Sequence, residues 1–473
     1  MTQAEQQNFG RNITIHASQV LKPGSEEALL ESLRDKSFRS VRVNGRMHSW
    51  SQAIEADDVL IDLSRMNHVE VIESNGTPVA RVGAGTQIKQ VVSELLRIGN
   101  CALPSMGLID EQTIAGAIST GTHGSGKNSL SHYVRAARVL QFDQDGKPFI
   151  KRIDSGPALN AIRCSLGCLG VITELELEIR QQYLVEEHFR DYATLQPVLN
   201  AETEFPLQQF YLIPWRWTFI AQHRREVEAV NKRFARPFSI YFHLIFDIGM
   251  HWIILAILGT FGAGRLMKAM FRWVIPAFVI RNWRVVDRSD RILTMEHEMF
   301  RHVEIELFVR RSQLPSMLEW TRYCLSIAAG ETPSKPACLN AGNNKALLKI
   351  AEHMQSLAGS YTHHYPICVR KVLSDDTLIS MTAGWDEPGY AVSLICYAKG
   401  NARDKFFEFA RWLARGAIAQ CGARLHWGKF NDVDRDWLLK NVNDWEEFKT
   451  QVAAADPQGV FQNNWTRELL ADR

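Results

Sequence analysis

Short apolar runs alternate with amphipathic stretches over the first third of the chain. Apolar residues dominate positions 40–43, 59–62 and 80–82, as expected for buried β-strands. Between positions 88 and 98 they recur at the three- and four-residue spacing of an amphipathic helix. A strand-like alternation at 174–179 ends this region. The pattern predicts an α+β domain over residues 10–180.

The composition changes after residue 181, where aromatic residues become frequent. Strands are predicted at 208–213, 304–309 and 391–397, and a helix is predicted at 404–420. Residues 331–344, which include two prolines, are predicted to form a loop. We therefore expect a second domain over residues 181–425 and a largely helical C-terminal segment over residues 426–473.

An apolar insert, residues 239–283, interrupts the second domain. Positions 239–264 contain one formally charged residue, Asp247, and several Lys and Arg residues follow. Trp252, Trp273 and this basic fringe suit a bilayer interface. Residues 253–264 are too short to span a bilayer, and His243 and His251 suit its edge better than its hydrocarbon. The insert is predicted to be either a helix pair in peripheral membrane contact, which we favour, or a helical lid over the functional site.

Composition limits the classes of partner and the cellular location. With 54 Lys and Arg against 52 Asp and Glu, no general attraction to nucleic acid is expected. The eight cysteines lack zinc-site spacing, Cys164 and Cys168 included, so reduced buried thiols and no bound metal are expected. Positions 1–11 lack the apolar core of a secretory signal. We therefore expect a cytoplasmic protein that can associate with the cytoplasmic face of a membrane.

Three separate stretches carry the candidate chemistry. Gly45-Arg46-Met47-His48-Ser49 and Gly121-Thr122-His123-Gly124-Ser125-Gly126 are glycine-rich turns. Such turns let backbone N–H groups approach a pyrophosphate. The third stretch, His426-Trp427-Gly428-Lys429, adds a cation near the C-terminus. Because one histidine beside glycines is weak evidence but two in similar turns are more specific, we predict that the three stretches meet around one flavin.

These motifs, in this order, resemble the vanillyl-alcohol-oxidase type of flavoproteins, and within it the sugar-1,4-lactone oxidases and alditol oxidases. The resemblance covers nearly the whole chain. It implies an α+β fold with a two-part FAD-binding domain and a cap domain that has an antiparallel sheet and a helical insert. It also implies a covalent bond from His48 to the 8α-methyl group of FAD. The further residues it places around FAD are Asn44, Gly45, Arg46, Met47, Ser49, Ser105, Gly107, Thr113, Gly116, Gly121, Thr122, His123, Gly124, Gly126, Val171 and Ile172.

The same resemblance assigns the catalytic residues. Lys429 matches a lysine beside the flavin ring, where a cation stabilises the charge left by hydride transfer. Arg370 matches a substrate-binding arginine, but Cys368 replaces the family's glutamate, so either Cys368 only packs or another carboxylate takes over. Glu306 resembles a recurrent family glutamate. Glu306 shares a strand face with Glu304. The two residues form either a carboxylate pair near a basic group or a solvated strand face with a salt bridge.

The reaction implied is oxidation of a CH–OH group by hydride transfer to flavin N5. The expected substrate is sugar-derived, an aldonolactone such as D-arabinono-1,4-lactone or an alditol. The expected electron acceptor is oxygen or a membrane carrier. Two alternatives remain open. The first is an oxidase of a lipid-linked sugar that resembles the decaprenylphosphoryl-ribose oxidases, which the apolar insert and Cys368 also fit. The second, from a different class, is a membrane-recruited flavin-binding scaffold without turnover.

Overall fold

The structure is a computed structural model that describes residues 4–34, 38–74, 76–228, 234–260, 262–295, 300–340 and 344–472. Within these ranges the chain forms a first region around two main sheets and a second region around one larger sheet. The strands of the first region are β1 (Ala4–Gln7), β2 (Thr14–Ala17), β3 (Gln19–Leu21), β4 (Val41–Val43), β5 (Val59–Ile61), β6 (Val69–Ser74), β7 (Thr77–Gly83), β8 (Cys101–Ala102), β9 (Val134–Phe142), β10 (Pro148–Ile153), β11 (Val171–Glu178) and β12 (Arg180–Gln181). Its helices are α1 (Glu26–Leu33), α2 (Ile88–Gly99), α3 (Ile114–Ser119) and α4 (Gly156–Ile162).

The first region contains a parallel sheet and an antiparallel sheet. Strands β3, β5 and β4 pair in parallel in that order, and β10, β9, β11, β7 and β6 form an antiparallel sheet. The small pairs β1–β2 and β8–β12 are antiparallel too. The strands predicted at 40–43, 59–62, 80–82 and 174–179 correspond to β4, β5, β7 and β11, and the predicted helix corresponds to α2. These predictions are confirmed.

The second region is built on an eight-stranded antiparallel sheet. Its strand order is β16-β13-β15-β14-β18-β19-β17-β20. The strands are β13 (Leu184–Tyr192), β14 (Gln209–Ile213), β15 (Thr218–Val227), β16 (Val285–Arg288), β17 (Val303–Arg310), β18 (Ile367–Val372), β19 (Gly389–Cys396) and β20 (Arg424–Leu425). The strands predicted from the sequence match β14, β17 and β19, which confirms them.

Helices cover this sheet and end the chain. The helices of the second region and C-terminal segment are α5 (Leu195–Asn200), α6 (Ala235–Phe242), α7 (His251–Leu258), α8 (Ala263–Ala269), α9 (Ile275–Phe278), α10 (Ser289–Ile292), α11 (Leu314–Ala328), α12 (Ala337–Asn340), α13 (Lys345–Ser356), α14 (Asn401–Cys421), α15 (Arg435–Leu439), α16 (Trp445–Ala455) and α17 (Asn464–Leu470). The helix predicted at 404–420 is α14. The loop predicted at 331–344 is partly wrong, because α12 forms a helical turn within it after Pro336; positions 341–343 lie outside the described residues.

The apolar insert forms a helical hairpin. Helix α6, a π-helical segment (His243–Met250) and α7 make one continuous helix, Ala235–Leu258, and α8, a second π-helical segment (Met270–Val274) and α9 make its return arm, 263–278. We call these two arms the helical hairpin. A helix pair was expected here, and the structure has one.

The C-terminal segment returns to the first region. The backbone N–H of Val41 donates to the Val460 carbonyl over 2.8 Å. The buried guanidinium of Arg42, on β4, donates to the carbonyls of Ala53, Leu166 and Phe461. These bonds fix the C-terminal segment against β4 of the first region.

Candidate active site

A cavity of about 520 Å³ lies between the first region and one face of the eight-stranded sheet. The first region contributes the turns after β4, β5 and β7, the stretch 107–123 and the connection 166–172. The sheet contributes residues of β14, β17, β18 and β19, and the C-terminal part contributes His426, Gly428 and Lys429. The cavity is therefore bounded by both regions.

The three stretches singled out in the sequence meet at this cavity. The Gly428 carbonyl accepts the backbone N–H of Trp50 over 2.9 Å and the hydroxyl of Ser49 over 3.1 Å. The rings of His123 and His426 lie 5.8 Å apart between centroids. Positions separated by hundreds of residues thus surround one space.

The half of the cavity that faces the first region fits an anionic dinucleotide. A Cβ atom on Gly45 would lie 2.0 Å from Thr113 Oγ1, so only glycine allows the chain to pass there. Among the described lining residues of the first region, Asp62 is the one carboxylate, and it is paired with Lys22 over 3.0 Å. Because backbone turns dominate this half and it holds almost no negative charge, its residues fit the diphosphate of FAD.

His48 lies at the wall of the same cavity. Its ring stacks on Phe9 with 4.9 Å between centroids and an interplanar angle of 24°. Phe9 in turn contacts the ring of His302, which also lines the cavity. Aromatic packing therefore fixes the plane of the imidazole that the sequence predicts to bind FAD covalently.

The opposite wall is formed by one face of the eight-stranded sheet. Strand register places Tyr211 beside Cys368, Cys368 beside Ser393, and Ser393 beside Glu306. Paired residues on neighbouring strands point to the same face, so these four side chains form a row across four strands. Arg370 is two positions beyond Cys368 on β18 and lines the same face.

Glu306 and Arg370 form a buried ion pair in this wall. Arg370 Nη2 donates to Glu306 Oε1 over 2.5 Å, and His123 Nε2 lies 3.4 Å from the same oxygen. Burial opposes ionisation of Glu306, but the charges of Arg370 and then His123 outweigh it, so the pKa of Glu306 lies well below its usual range. Burial likewise opposes the charge on Arg370, yet Glu306 raises the pKa of that guanidinium.

A second charged pair, Glu304 with Lys429, lies beside the first. Glu304 accepts hydrogen bonds from Lys429 and from the Ser393 hydroxyl. Lys429 Nζ also lies 4.3 Å from the centroid of the Trp50 ring. Burial raises the pKa of Glu304, and the basic groups around it, Lys429 first among them, together more than offset this and leave the pKa below its usual value. The sequence left open a solvated face for Glu304 and Glu306; that alternative is wrong, because both are buried and paired.

His123, Glu306 and His426 are the described group whose spacing suits a metal ion. Their ligand atoms lie within 4.8 Å of one another. The Arg370 guanidinium already occupies the same carboxylate, and its positive charge opposes a dication. His123 Nδ1 faces the Gly124 carbonyl over 3.0 Å, which leaves Nε2 directed at Glu306. This arrangement suits proton transfer better than metal binding.

Most predicted site residues line the cavity. Those that do are Asn44, Gly45, Arg46, Met47, His48, Ser49, Gly107, Thr113, Gly116, Thr122, His123, Ile172, Glu306, Arg370 and Lys429. The remaining five lie behind this lining: Ser105, Gly121, Gly124, Gly126 and Val171. A Cβ on Gly124 would lie 2.2 Å from the Met106 carbonyl oxygen, so this glycine serves close packing behind His123. Contact of each residue with FAD stays a prediction.

Several lining residues were not named as site residues from the sequence. They include Tyr211, His302, Tyr365, Ser393 and His426. Ser393 and Tyr211 lie in predicted strands, but only the strand register beside Cys368 brings them to the site. His302 and Tyr365 lie just before β17 and β18, where no sequence pattern marked them. Cys368 itself lines the cavity, and burial raises the pKa of its thiol to about 12.

Comparison with known proteins connects this site to a family. A family model of an FAD-binding domain matches residues 17–148, and one described as D-arabinono-1,4-lactone oxidase matches residues 262–469. A putative D-arabinono-1,4-lactone oxidase of Neurospora crassa is 38% identical over 92% of this chain and 80% of its own length. The chain belongs to the sugar-lactone oxidase family. A bovine L-gulonolactone oxidase is 23% identical over 98% of both chains.

Members of the sugar-lactone oxidase family differ in the substrates that their names state. A long-chain alcohol oxidase from an uncultured marine euryarchaeote is 46% identical over 99% of this chain and 97% of its own length. The cholesterol oxidase of B. sterolicum shares the fold, with a TM-score of 0.71 at 13% identity over 99% of this chain and 97% of that chain. The present protein, as a member of the sugar-lactone oxidase family, is thus an FAD-dependent oxidoreductase that acts on CH–OH donors. The family, the fold class and the cofactor predicted from the sequence are confirmed.

Proposed function

We propose that the protein oxidises the carbinol carbon of a long-chain alcohol and that Arg370 and Glu306 hold the reacting hydroxyl group. Two buried polar atoms carry this proposal: Arg370 Nε and Glu306 Oε2 have no hydrogen-bond partner among the described residues. His426 Nε2 lies 4.0 Å from Glu306 Oε2. An alcohol oxygen would accept from Nε and its hydrogen would be donated to Oε2, which satisfies one unpaired donor and one unpaired acceptor.

Glu306 is then the base for the hydroxyl proton. Its depressed pKa keeps the carboxylate ionised near neutral pH but makes it a weak base, so it takes the proton only as departure of the hydride makes the hydroxyl group strongly acidic. FAD, when bound, accepts the hydride from the carbinol carbon, and the alcohol becomes a carbonyl compound. His123 Nε2 lies 3.4 Å from this carboxylate and helps to hold it in place. Arg370 orients the substrate oxygen throughout.

Lys429 would supply positive charge at the same end of the cavity. Its ammonium group is held between Glu304 and the Trp50 ring. A cation placed there stabilises negative charge on the reduced cofactor, an effect that mutagenesis of comparable sites puts at about 10²–10³ in rate. Lys429 therefore has an electrostatic role, and Glu306 has the role of base.

The apolar character of the walls favours a long-chain alcohol. The lining includes the apolar side chains of Leu108, Met295 and Ile395 and the aromatic rings of Tyr211 and Tyr365. The hydrogen-bonding groups nearby are largely engaged with one another, because Glu304 already binds Ser393 and Lys429. A polyol would need several free partners, whereas an alkyl chain needs apolar surface. The 46% identical relative named for long-chain alcohols adds support.

A sugar-derived substrate, such as D-arabinono-1,4-lactone or an alditol, is the second candidate. It is favoured by the family model that covers residues 262–469 and by the names of the lactone and alditol oxidases among the relatives. The polar row on the sheet could bind a compact substrate with several hydroxyl groups. The two candidates share the chemistry at Arg370 and Glu306 and differ in what fills the remaining space.

Anaerobic reduction of the enzyme-bound flavin tests this proposal. Primary alcohols from hexanol to hexadecanol are compared with D-arabinono-1,4-lactone, L-gulono-1,4-lactone and xylitol. If the chain is buried, kcat/KM should rise about four-fold per added methylene, which corresponds to about 0.8 kcal/mol, until the cavity is filled. Reduction by lactones or alditols alone would exclude a long-chain substrate. Reduction by none of these compounds would remove the proposal altogether.

We further propose the covalent bond between His48 and FAD, supported by its position on the cavity wall and its stacking on Phe9. Acid precipitation of the purified protein should leave yellow flavin in the pellet, and His48→Ala should release it. Phe149→Ala, a change at an exposed aromatic residue elsewhere, is the control. Flavin that dissociates from the wild-type protein in acid would exclude the bond.

The electron acceptor is proposed to be oxygen or a membrane carrier. Mixing the reduced enzyme with oxygen or with a water-soluble quinone distinguishes them, since the faster reoxidation identifies the acceptor class. A cytoplasmic location is also proposed, supported by eight cysteines that all remain thiols in the structure. Detection of the protein in an exported fraction would contradict it.

A further inference from the structure

We infer that the helical hairpin docks on the surface of a bilayer that contains anionic phospholipid, with its outer side in the interface and its inner side on the wall of the substrate cavity. Binding to the bilayer is independent of the proposed reaction. The consequence for substrate entry rests on the proposed long-chain alcohol.

Exposed apolar side chains are concentrated in this one element. Of the 13 large apolar residues that are exposed in the described structure, 10 lie between positions 234 and 280. Trp273 is 68% exposed, Ile240 62% and Trp252 60%. A contiguous exposed apolar patch marks an interaction surface in a soluble protein, whereas single exposed residues do not.

The exposed residues form stripes along both arms. On the first arm Ile240, Leu244 and Trp252 are separated by multiples of four residues. On the return arm Leu266 and Trp273 are seven residues apart, and the exposed Ile280 follows just after the arm ends. Side chains four or seven residues apart lie close to the same side of a helix. The hairpin therefore presents apolar surface and a tryptophan on each arm, and tryptophan prefers the membrane interface.

The charge of the hairpin indicates that it binds a negatively charged membrane surface. Positions 235–284 contain one acidic residue, Asp247, which is largely buried and lies 3.4 Å from His243. The same positions contain six basic residues: Arg236, Arg265, Lys268, Arg272, Arg281 and Arg284. Arg236, Arg265, Arg272 and Arg284 are exposed. Basic residues around an apolar patch complement anionic headgroups and not a neutral apolar protein partner.

The hairpin lies on the bilayer and does not span it. Ala235–Leu258 is long and apolar enough to cross a membrane. The return arm, 263–278, would extend only about 24 Å as a helix, less than the hydrocarbon thickness of about 30 Å. The first arm is also held on the protein, because Ile254 and His251 are buried and His251 stacks on Phe300 at 4.4 Å. An interfacial position satisfies both constraints.

The inner side of the hairpin adjoins the cavity wall. The His251 ring contacts Tyr397 at 5.3 Å and Tyr365 at 5.8 Å between centroids. Tyr365 lines the cavity, and so does His302, whose ring contacts Tyr397 at 5.7 Å. One layer of side chains thus separates the hairpin from the substrate space. Given the proposed function, a long-chain alcohol dissolved in the bilayer would enter a cavity that lies against the membrane.

Co-sedimentation with vesicles tests the docking surface. The full-length holoenzyme is mixed with vesicles of phosphatidylcholine alone or with added phosphatidylglycerol. We expect the wild-type protein to partition at least ten-fold more strongly onto the anionic vesicles. Trp252→Ala with Trp273→Ala should weaken partitioning about ten-fold or more. Arg236→Glu and Arg265→Glu should each weaken it about five-fold or more at low salt.

The matched control is Ile98→Ala with Phe149→Ala, which removes two exposed apolar residues elsewhere and should leave partitioning unchanged. Circular dichroism and the absorption spectrum of the bound flavin verify that each variant is folded, whether or not it oxidises an alcohol. Absence of wild-type binding, or equal binding by the tryptophan variant, would overturn the inference. Self-association that these variants abolish, without vesicle binding, would also overturn it and identify a second copy as the partner.

The two proposals fail separately. Vesicle binding by a protein that oxidises no alcohol would remove the proposed function and retain the docking surface. Alcohol oxidation without vesicle binding would do the reverse. If both hold, the tryptophan variant should lose rate with hexadecanol supplied in vesicles and retain its rate with soluble hexanol; equal loss with both would exclude delivery through the hairpin.

Discussion

The cofactor end of the cavity is formed by closely packed backbone turns, and the sheet end is formed by charged side chains on strands. At the cofactor end, turns approach one another because glycines lack side chains: a Cβ on Gly85 would lie 1.8 Å from the Leu63 carbonyl oxygen. At the sheet end, β17 and β18, which flank β19, hold the charged side chains of Glu306 and Arg370 within hydrogen-bonding distance. The cofactor end is thus sensitive to an added methyl group, and the sheet end is sensitive to a lost charge.

The largest effect is expected at the sheet end from Arg370→Ala. This change leaves the Glu306 charge buried without its counterion, which should reduce the free energy of unfolding by about 3–5 kcal/mol. It also removes the group that orients the hydroxyl, so kcat/KM should fall by about 10³ or more. Urea unfolding and anaerobic flavin reduction measure the two effects.

The control for this substitution is Arg310→Ala on β17. Arg310 is partly exposed, and its carboxylate partner Asp386 is 3.9 Å away and 93% exposed. Its removal should change the free energy of unfolding by less than about 1 kcal/mol. Retention of the flavin-reduction rate within ten-fold in the Arg370→Ala variant would contradict the assigned role.

The next largest effect is expected from Lys429→Met. The substitution preserves much of the side-chain volume and removes the cation held by Glu304, so flavin reduction should slow by about 10²–10³. Lys429→Arg should recover part of the rate because the charge is restored. Equal rates in Lys429→Met and Lys429→Arg would show that charge is irrelevant at this position.

The cofactor end is tested by adding one methyl group. In Gly45→Ala the new Cβ meets the Thr113 side chain, whereas in Gly124→Ala it meets the Met106 backbone. Each should weaken FAD binding by about ten-fold or more, as overpacking costs about 1–3 kcal/mol. A second substitution, Thr113→Ala, should partly rescue Gly45→Ala and should not rescue Gly124→Ala. FAD titration of apoprotein measures this, and rescue of both variants would refute the steric explanation.

A smaller effect, on stability, is expected as the pH falls. Burial lowers the pKa of His302 to about 4, so the folded protein keeps this ring neutral while the unfolded chain protonates it near pH 6.5. Its contribution to stability is therefore lost as the pH falls from about 6.5 to 4. His302→Gln should reduce the slope of stability against pH by about 1.4 kcal/mol per unit in that window.

Glu306 titrates in a lower window. Its folded pKa is depressed, so its contribution is complete above the ordinary glutamate pKa and is lost only as the pH falls through the lower, folded value. Denaturation curves collected from pH 7 to pH 3 separate the two groups. An unchanged slope between pH 6.5 and 4 in the His302→Gln variant would contradict the assignment.

The smallest effect is expected from Cys368→Ala. The raised pKa of about 12 keeps this thiol neutral, so it cannot serve as the base that a glutamate would provide at this position. We expect kcat/KM to change by less than about three-fold, with a loss of stability of about 1 kcal/mol from the smaller side chain. A loss of activity comparable to that of Arg370→Ala would assign the thiol a direct part in the reaction.

Much of the fold could be predicted from the local spacing of apolar residues. Helix α2 was predicted to within one residue at its end, because its apolar spacing repeats over three turns. Strands β4, β5 and β14 were found because each is a short apolar run with a defined end. The short helix α12 was missed, since a single turn bounded by proline has no periodicity to detect.

The site was accessible only in part. His48, His123 and Lys429 were identified because glycine-rich turns and the His-Trp-Gly-Lys stretch are contiguous motifs. Ser393 and Tyr211 were missed because they become site residues through strand register, and register is a property of neighbouring strands. Glycines 121 and 126 were expected at the cofactor and are not among the lining residues of the cavity, so their contact with FAD stays a prediction. Local sequence does not show whether a glycine in such a turn lines the cavity or packs away from it.

Local sequence decided the turns, the strands and the apolar character of the hairpin, since these depend on residues close together in the chain. Tertiary structure decided which carboxylate forms the ion pair with Arg370. Glu306 and Arg370 are 64 residues apart and meet because β19 lies between β17 and β18 in the sheet. Tertiary structure also decided which side of the hairpin is buried, because a helix that is apolar all round carries no signal for the face that packs.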